Sequence, residues 1–264
     1  MSPPDNQRAR VERALDARSD YFASLRAGAK VTIAVPDATR PIDHHATLVP
    51  LLERLIARQT HPKILVALGL HRPMNASELA PLAEISQRFD IPLIQNAPQE
   101  PARVVCVEDD VGYELEGVTR PLPACFDGAI AEADHIICTG LVEPHQYAGF
   151  SGGVKTVSIG CASQQTISAM HGLPYLRHPG TRLGQLEGNM FRQALRRLVR
   201  NLPPIYALQA VPCEDPVVTF GPAEVAFKEA AAHAAKTLFV EHDKTYPWVA
   251  LPVPSVKATN VYQS

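Results

Sequence analysis

Residues 30–41 have the sequence KVTIAVPDATRP, a run of apolar and β-branched residues that ends in a polar turn. The run has the length and composition of a strand that is buried on both faces. A helical pattern follows over residues 44–59, where LVPLLERLIARQ repeats its apolar residues at i, i+3, i+4 and i+7. The unit then recurs as KILVALG (63–69), a polar loop and SELAPLAEISQRF, with Ser77 expected at the helix cap. This strand–loop–helix repeat decides the fold class.

The same alternation continues on both sides of the two units. Residues 7–26 carry apolar residues at helical spacing, and Gly28 follows as a stop signal. Further strands are predicted at residues 91–95, 103–108 and 135–140. Nearly continuous apolar strands that alternate with helices predict an α/β fold, a mainly parallel sheet with helices on both faces.

The pattern restarts after Pro204. Residues 205–211 and 216–221 resemble a hairpin, AEVAFKEAAAHAAK a helix, and TLFVE and WVALPV two more strands. We therefore expect an N-terminal α/β domain over residues 1–234 and the beginning of a second, smaller α/β domain over residues 235–264.

The composition argues against several classes of partner. The chain has 264 residues, of which 46% are apolar and 20% charged, enough for a sizeable core. Its net charge of -2, with no dominant Lys/Arg cluster, gives no reason to expect nucleic acid binding. No run approaches the ~18 apolar residues of a membrane helix, and the polar N-terminus lacks the apolar core of a signal peptide. We expect a soluble, cytoplasmic protein that binds small molecules and no membrane.

The five cysteines are scattered and form no CxxC pair; they are Cys106, Cys125, Cys138, Cys161 and Cys213. An odd number at such spacing argues against a disulfide framework and against a zinc site built from cysteines. We expect each to be a small buried apolar side chain.

Three polar segments each follow a predicted strand: DATRP (37–41), LHRP (70–73) and EPHQYAGFSGG (143–153). In a sheet of this kind ligands bind beyond the carboxyl ends of the strands. Glycines before Lys155 suggest a loop whose N–H groups approach a phosphate, although a plain turn would have the same sequence and no Walker motif is present.

Four residues with useful chemistry lie in or near these segments: His71, His145, Lys155 and His171. Neutral imidazole suits nickel or another late transition metal. No HxxxH or HExxH spacing supports a metal site built by the protein alone, so a metal would need donors from another molecule. The alternative interpretation is that the histidines are satisfied core or capping residues.

The segment EPHQYAGFSGGVKTVSIG resembles the signature of the lactate racemase family. Lys155 lies ten residues after His145, and His171 sixteen residues after Lys155, as in that family. The family's D-x-T-R-P occurs as Asp37 to Pro41, and its G-x-H-R-P as Gly69 to Pro73. The resemblance extends over about residues 30–263.

The resemblance implies a cofactor and a role for each matching residue. The cofactor is the nickel pincer nucleotide, a pyridinium-3,5-bisthiocarboxylic acid mononucleotide that binds Ni(II) through two sulfurs and a ring carbon. Lys155 matches the lysine to which it is covalently attached, and His171 matches the fourth nickel ligand. The N-terminal domain would thus be the cofactor-binding domain, and the other matching positions in it are Asp37, Thr39, Arg40, Ser151, Gly152 and Gly153.

The resemblance also implies an isomerase, a racemase or epimerase of a lactate-like 2-hydroxy acid that works by reversible hydride transfer to the cofactor. His71 and His145 match its acid/base pair, and Arg40 matches a residue that binds the substrate carboxylate. Hydride transfer avoids a carbanion beside a carboxylate, while one histidine takes the hydroxyl proton. Proteins that make and deliver the cofactor are implied as partners.

The end of the sequence departs from the family. TNVYQS (259–264) resembles a family segment in which Tyr262 and Gln263 match residues near the substrate, but the family sequence continues well beyond it. We expect a truncated form. Two alternatives to the enzyme therefore stay open: an inactive or binding-only fragment that retains the cofactor domain, and a nickel-free nucleotide-binding enzyme on the same type of fold.

Overall fold

The computed structural model describes residues 4–115 and 117–239. The helices are α1 (Pro4–Asp16), α2 (Ser19–Ser24), α3 (His44–Ala57), α4 (Ala76–Phe89), α5 (Gly128–Ala131), α6 (Lys155–Ser158), α7 (Gln164–Met170), α8 (Leu173–Arg177), α9 (Met190–Leu198) and α10 (Ala223–Thr237). The strands are β1 (Lys30–Pro36), β2 (His61–Ala67), β3 (Leu93–Gln95), β4 (Val104–Glu108), β5 (Tyr113–Leu115), β6 (Val118–Arg120), β7 (Ala124–Asp127), β8 (His135–Leu141), β9 (Pro144–His145), β10 (Gly149–Phe150), β11 (Ile205–Val211) and β12 (Val217–Pro222).

Six of the strands form one sheet in the order β12-β11-β8-β1-β2-β3. All neighbours in it are parallel except β11 and β12, which form the antiparallel hairpin predicted from the sequence. Ile33 of β1 pairs with Ile64 of β2 on one side and Ile137 of β8 on the other. The predicted α/β class, a mainly parallel sheet flanked by helices, is confirmed.

Strand β1 shows why the sheet is covered on both faces. Val31, Ile33 and Val35 belong to one apolar cluster, which includes residues of α1, α3 and α4. Ala34 belongs to a second cluster on the other face, which includes residues of α5, α7 and α9. Because side chains alternate along a strand, a central strand with two covered faces is apolar on both, and the one buried polar side chain of β1, Thr32, donates its hydroxyl to the carbonyl of Ala129. Burying each of the valine and isoleucine side chains contributes about 1.5–3 kcal/mol.

The strand order reverses next to β1. The chain passes from β1 to β2 and β3 on one side, and β8 and β11 then occupy the other side. Such a reversal opens a crevice beyond the carboxyl ends of the two strands that flank it, which is the usual ligand site of this type of sheet. The three polar segments follow the carboxyl ends of β1, β2 and β8.

Three local predictions need correction. The helix expected over residues 7–26 is two helices, because α1 ends at Asp16 before α2 begins. The cap of α4 is Asn75 and not Ser77: the Asn75 side chain accepts from the N–H of Glu78, whose carboxylate in turn accepts from the N–H of Asn75. Strand β4 lies outside the main sheet and pairs with β7 in a separate antiparallel ribbon.

The cysteine prediction is wrong for three of the five residues: two form a disulfide and one is free but partly exposed. Cys106 and Cys125 lie opposite each other in the β4–β7 ribbon and form a disulfide. Pairing across a ribbon cannot be recognised from the spacing of scattered cysteines. Cys138 and Cys161 are free and buried as expected, whereas Cys213 is free and partly exposed.

The predicted division into two domains stays a prediction. Residue 235 lies within α10, and residues 240–264 lie outside the described part of the chain. The strand expected at WVALPV falls among those undescribed residues, and of TLFVE the structure describes only the first three residues, where α10 ends. No helix in the described part is both long and apolar enough to cross a membrane.

Candidate active site

A cavity of about 550 Å³ lies at the carboxyl ends of β1, β2 and β8. Nine of the residues singled out in the sequence line it: Asp37, Thr39, Arg40, His71, His145, Ser151, Gly152, Lys155 and His171. Gly153 does not line it. Tyr262 and Gln263 lie outside the described residues. The structure thus brings together side chains that are up to 134 positions apart in the sequence, between Asp37 and His171.

Asp37 and His71 form a hydrogen-bonded pair on one side of the cavity. The Nδ1 atom of His71 lies 2.6 Å from Oδ2 of Asp37, and the hydroxyl of Thr39 donates to the other carboxylate oxygen at 2.5 Å. Burial would raise the pKa of Asp37, but the hydrogen bonds from His71 and Thr39 outweigh it and the pKa is lowered. Asp37 is therefore an ionised, oriented partner for a histidine whose side chain is 46% exposed to the cavity side.

His145 also lines the cavity and lies in the short hairpin of β9 and β10. Its Nδ1 atom accepts hydrogen bonds from the backbone N–H groups of Tyr147 at 3.1 Å and Ala148 at 3.2 Å. Burial, with smaller contributions from the positive charges of Lys155 and Arg40, lowers the pKa of His145 to about 2. The imidazole is therefore neutral across the physiological range.

The Ser151–Gly153 loop is held by contacts on the side away from the cavity. The hydroxyl of Ser151 donates to the carbonyl of Leu141, and the N–H of Gly153 donates to Oε1 of Gln209 at 2.8 Å. Gly152 and Gly153 have φ of +82° and +60°, the left-handed region that favours glycine. The N–H of Ser151 likewise donates to the carbonyl of Glu143 at 2.8 Å. Because the N–H groups of Ser151 and Gly153 and the Ser151 hydroxyl already donate to protein acceptors, a phosphate contact of this loop would come from Gly152.

Two residues that sequence reasoning missed support this loop. Arg192 of α9 is 1% exposed, donates to the carbonyl of Gly152 at 3.2 Å and lies 3.4 Å above the ring centre of Phe227. Burial lowers its pKa to about 10, against an opposing contribution from Glu224. Gln209 of β11 is 2% exposed. The available signal was a polar residue, Gln209, within the apolar strand predicted over residues 205–211. The loop that it contacts could not be inferred from that signal.

Lys155 begins α6 directly after the loop and reaches the cavity. Burial is the main cause that lowers its pKa to about 8, and the positive charges of Arg40 and Arg192 act in the same direction. About a tenth of the amine is thus unprotonated at pH 7, far more than for a free lysine. An unprotonated lysine in a cavity is a nucleophile toward carbonyl or thiocarboxyl carbon.

His171 follows the last residue of α7, and the hydrogen bonding of its ring suits a metal ligand. Its Nδ1 atom lies 2.9 Å from the carbonyl oxygen of Ile167. A carbonyl can only accept, so Nδ1 carries the proton and the lone pair is on Nε2. Metal-binding histidines usually donate their other N–H to a carbonyl or a carboxylate in this way. Partial burial lowers the pKa of His171, which keeps the ring neutral as a ligand must be.

These residues fit the cofactor that the resemblance implies. Within residues 4–115 and 117–239, no group of three or more His, Cys, Asp or Glu side chains is placed to hold a metal ion. A metal on Nε2 of His171 would therefore take its other donors from a bound ligand, as a pincer nucleotide provides. The nucleophilic amine of Lys155 suits covalent attachment of a thiocarboxylate.

Comparison with known proteins agrees with this geometry. The family model of the lactate racemase N-terminal domain matches residues 1–184. The chain is 31% identical over 210 residues to the lactate racemase of Lactiplantibacillus plantarum, which covers 78% of this chain and 48% of that protein. It is 32% identical over 188 residues to the lactate racemase of Thermoanaerobacterium thermosaccharolyticum, which covers 68% of this chain and 41% of that protein. The chain thus spans about half the length of these relatives.

Two solved structures share the fold. The lactate racemase apoprotein from Thermoanaerobacterium thermosaccharolyticum superposes with a TM-score of 0.74 at 24% identity, over 86% of this chain and 54% of that chain. A protein from Thermotoga maritima superposes with a TM-score of 0.69 at 20% identity, over 86% of this chain and 59% of that chain. The sequence motifs, the match to the N-terminal domain model and the shared fold lead to one conclusion: the chain belongs to the lactate racemase family.

Proposed function

We propose that the protein is an isomerase that interconverts the two enantiomers of a small 2-hydroxy acid, with lactate as the first substrate to test. The observation that carries the proposal is that His71 and His145 line the same cavity as Lys155 and His171. Inversion of a 2-hydroxy acid needs groups that handle the hydroxyl proton beside a site that handles the hydrogen on carbon. This cavity has residues suited to both.

The proposed cofactor is the nickel pincer nucleotide, attached to Lys155 and with His171 as the protein ligand to Ni(II). When bound, this group supplies a reversible acceptor for the hydride of the substrate carbon. Gly152 is the loop residue available to its phosphate, since the donors of Ser151 and Gly153 already have protein partners. We expect the proteins that make this cofactor to work in the same compartment, the cytoplasm.

The protein's own residues bind and orient the substrate. Arg40 lines the cavity and suits the substrate carboxylate, since a guanidinium can donate two parallel hydrogen bonds to it. Asp37 orients His71, which is the better placed of the two histidines to accept the hydroxyl proton. His145 is neutral and is influenced by the positive charges of Lys155, Arg40 and Arg192.

The test is the mass of Lys155 after expression with the cofactor-making proteins. We expect an addition of nucleotide size on the peptide that contains Lys155, with bound nickel. Lys155→Ala should lose both, whereas Lys228→Ala on the exposed side of α10 should keep both. If the wild-type protein stays unmodified in a host that attaches the cofactor to a related racemase, the cofactor assignment is wrong.

Racemisation of lactate by the loaded protein, followed by chiral chromatography, tests the reaction itself. Conversion of either enantiomer to a mixture supports the proposal. A chain that carries the nucleotide and nickel but converts neither lactate nor other 2-hydroxy acids would instead support the binding-only alternative.

A further inference from the structure

The two histidines of the cavity differ in what their inner ring nitrogen contacts. Nδ1 of His71 faces a carboxylate oxygen of Asp37, which can only accept. Nδ1 of His145 faces two backbone N–H groups, which can only donate. In a neutral imidazole one nitrogen carries the proton and the other a lone pair, so the contact at Nδ1 decides the state of Nε2.

For His71 the ionised carboxylate requires the proton on Nδ1. Asp37 accepts from the hydroxyl and the N–H of Thr39 at one oxygen, and from His71 at the other. All these donors stabilise the carboxylate and keep it from taking the proton itself. In the neutral ring, Nε2 of His71 is therefore the nitrogen with the lone pair.

For His145 the two backbone donors require a lone pair on Nδ1, so the proton is on Nε2. Moving the proton to Nδ1 would leave the N–H groups of Tyr147 and Ala148 facing another N–H. The hairpin backbone that carries them is held in place. Gly149 pairs with His145, and the side chain of the buried Asn189 donates to the carbonyl of Tyr147 at 2.9 Å.

A second proton on His145 is disfavoured by its surroundings. The charged groups that act on the ring are Lys155, Arg40 and Arg192, and His171 is the other titratable group. None of these carries a negative charge, so nothing among them stabilises an imidazolium.

We propose that, of the two histidines, His71 is the proton acceptor, and that His145 acts as a fixed hydrogen-bond donor from Nε2 to the substrate oxygen. This inference rests on the proposed function. It replaces the expected pair of equivalent acid/base histidines by two histidines with different roles. His145 cannot accept at Nε2, and it cannot release the Nε2 proton without becoming an imidazolate. Its N–H can hold the substrate oxygen and stabilise negative charge that develops there.

The proton then follows one route in both directions. When the 2-hydroxy acid is oxidised, its O–H bond breaks, an N–H bond forms at Nε2 of His71 and the carbonyl is made. The hydrogen on the substrate carbon leaves with its electron pair to the hydride acceptor named under the proposed function. The same proton returns to the same oxygen when the 2-hydroxy acid is re-formed. Inversion requires the keto acid to turn its other face between these two transfers, while its oxygen stays within reach of His71.

The first experiment determines the tautomers directly in the cofactor-free, full-length chain. Long-range ¹H–¹⁵N correlation spectra of histidine-labelled protein distinguish a protonated ring nitrogen from a bare one. Spectra of His71→Gln and His145→Gln assign the signals by their loss. We expect the proton on Nε2 for His145, and on Nδ1 for His71 where its ring is neutral. A proton on Nδ1 of His145, or on both of its nitrogens at neutral pH, would overturn the proposal.

The second experiment measures racemisation by loaded variants. His71→Gln should lose about 10²–10⁴-fold in rate, as expected for removal of a general base. Glutamine keeps an N–H at the position of the imidazole Nε2, so His145→Gln should stay within about tenfold of wild type, whereas His145→Leu should lose about 10²–10³-fold. Equal losses in the glutamine and leucine variants, with nickel content unchanged, would mean that His145 is itself a base. If wild type does not racemise, the proposed function fails, and the tautomers measured in the first experiment still decide this inference.

Discussion

At the scale of single residues, Lys155 shows how a fold changes the chemistry of a common side chain. Its amine is in a cavity wall that also carries Arg40, with Arg192 behind the adjacent loop. Both the loss of water and the nearby positive charges disfavour the ammonium form. The protein thus keeps a nucleophilic amine close to the position where a cofactor would be attached, without using a neighbouring base.

The lowered pKa of Lys155 can be measured without any cofactor. The pKa of Lys155 is lowered from 10.5 to about 8, so the reactive amine should become dominant as the pH rises through about 8. We expect the rate of labelling of Lys155 by a small acylating reagent, followed by peptide mass spectrometry, to rise with a midpoint near that pH. Nα-acetyl-lysine in the same tube is the control. A midpoint for Lys155 equal to that of the free amino acid would contradict the role of burial.

The residues of the site differ in how far the sequence alone revealed them. His71 and His145 lie in unusual polar segments after strands, and Lys155 and His171 follow the last of these segments. The structure places all four around one cavity. The supports of the site were not identified. Arg192 and Gln209 act through a loop that is distant in the sequence, and a contact of this kind depends on packing that no local pattern encodes.

At the scale of elements, the loop before α6 is shaped by the two helices packed behind it, α9 and α10. Arg192 of α9 and Phe227 of α10 occupy the space that a side chain at position 153 would need. A Cβ atom at Gly153 would lie 2.5 Å from Nη2 of Arg192 and 3.0 Å from Cγ of Phe227. The glycine is therefore required both by its backbone conformation and by its neighbours.

Gly153→Ala should consequently lower the free energy of unfolding through two separate effects. The left-handed backbone costs about 1–2 kcal/mol for a residue with a Cβ atom, and the forced displacement of neighbours about 1–3 kcal/mol more. Gly112→Ala is a matched control, because Gly112 has φ of +52° and nothing within 4 Å of its Cβ position. Urea unfolding of both variants separates the effects. If both variants lose the same free energy of unfolding, the contact between position 153 and Arg192 is not tight.

Strands and helices were predictable where the local sequence pattern determines them. β1 has the predicted bounds, and the hairpin of β11 and β12 lies within one residue of the prediction, because apolar runs of strand length between turns identify buried strands. The role of β4 was not predictable. An apolar run of this length looks the same whether it joins the main sheet or pairs with a separate strand, and only the fold decides its partner.

At the scale of the whole molecule, the disulfide between Cys106 and Cys125 links two strands outside the main sheet. The residues it joins are 19 apart in the sequence. Closing a loop of this size restricts the unfolded chain and stabilises the folded state by about 3 kcal/mol. The backbone of Cys125 also contacts the beginning of α7, since its carbonyl accepts from the N–H of Ser163.

Reduction should therefore lower the midpoint of urea unfolding of the wild-type protein. Cys106→Ser should be less stable by about 3 kcal/mol and no longer respond to the reductant. Cys213→Ser, which removes a free cysteine, should respond as wild type does. A wild-type midpoint that does not change on complete reduction would show that the crosslink adds nothing.

The order of strands in the sheet has a consequence for the time course of folding. The Asp37–His71 side of the site depends on the pairing of β1 with β2, in which Ile33 meets Ile64, whereas the His145–Lys155 side depends on β8, in which the same Ile33 meets Ile137. Closing the longer of these two loops costs about 1 kcal/mol more in chain entropy. We therefore expect the Asp37–His71 side of the cavity to belong to an earlier, more local folding unit, and the His145–Lys155 side to be completed later, when β8 docks against the pair of β1 and β2.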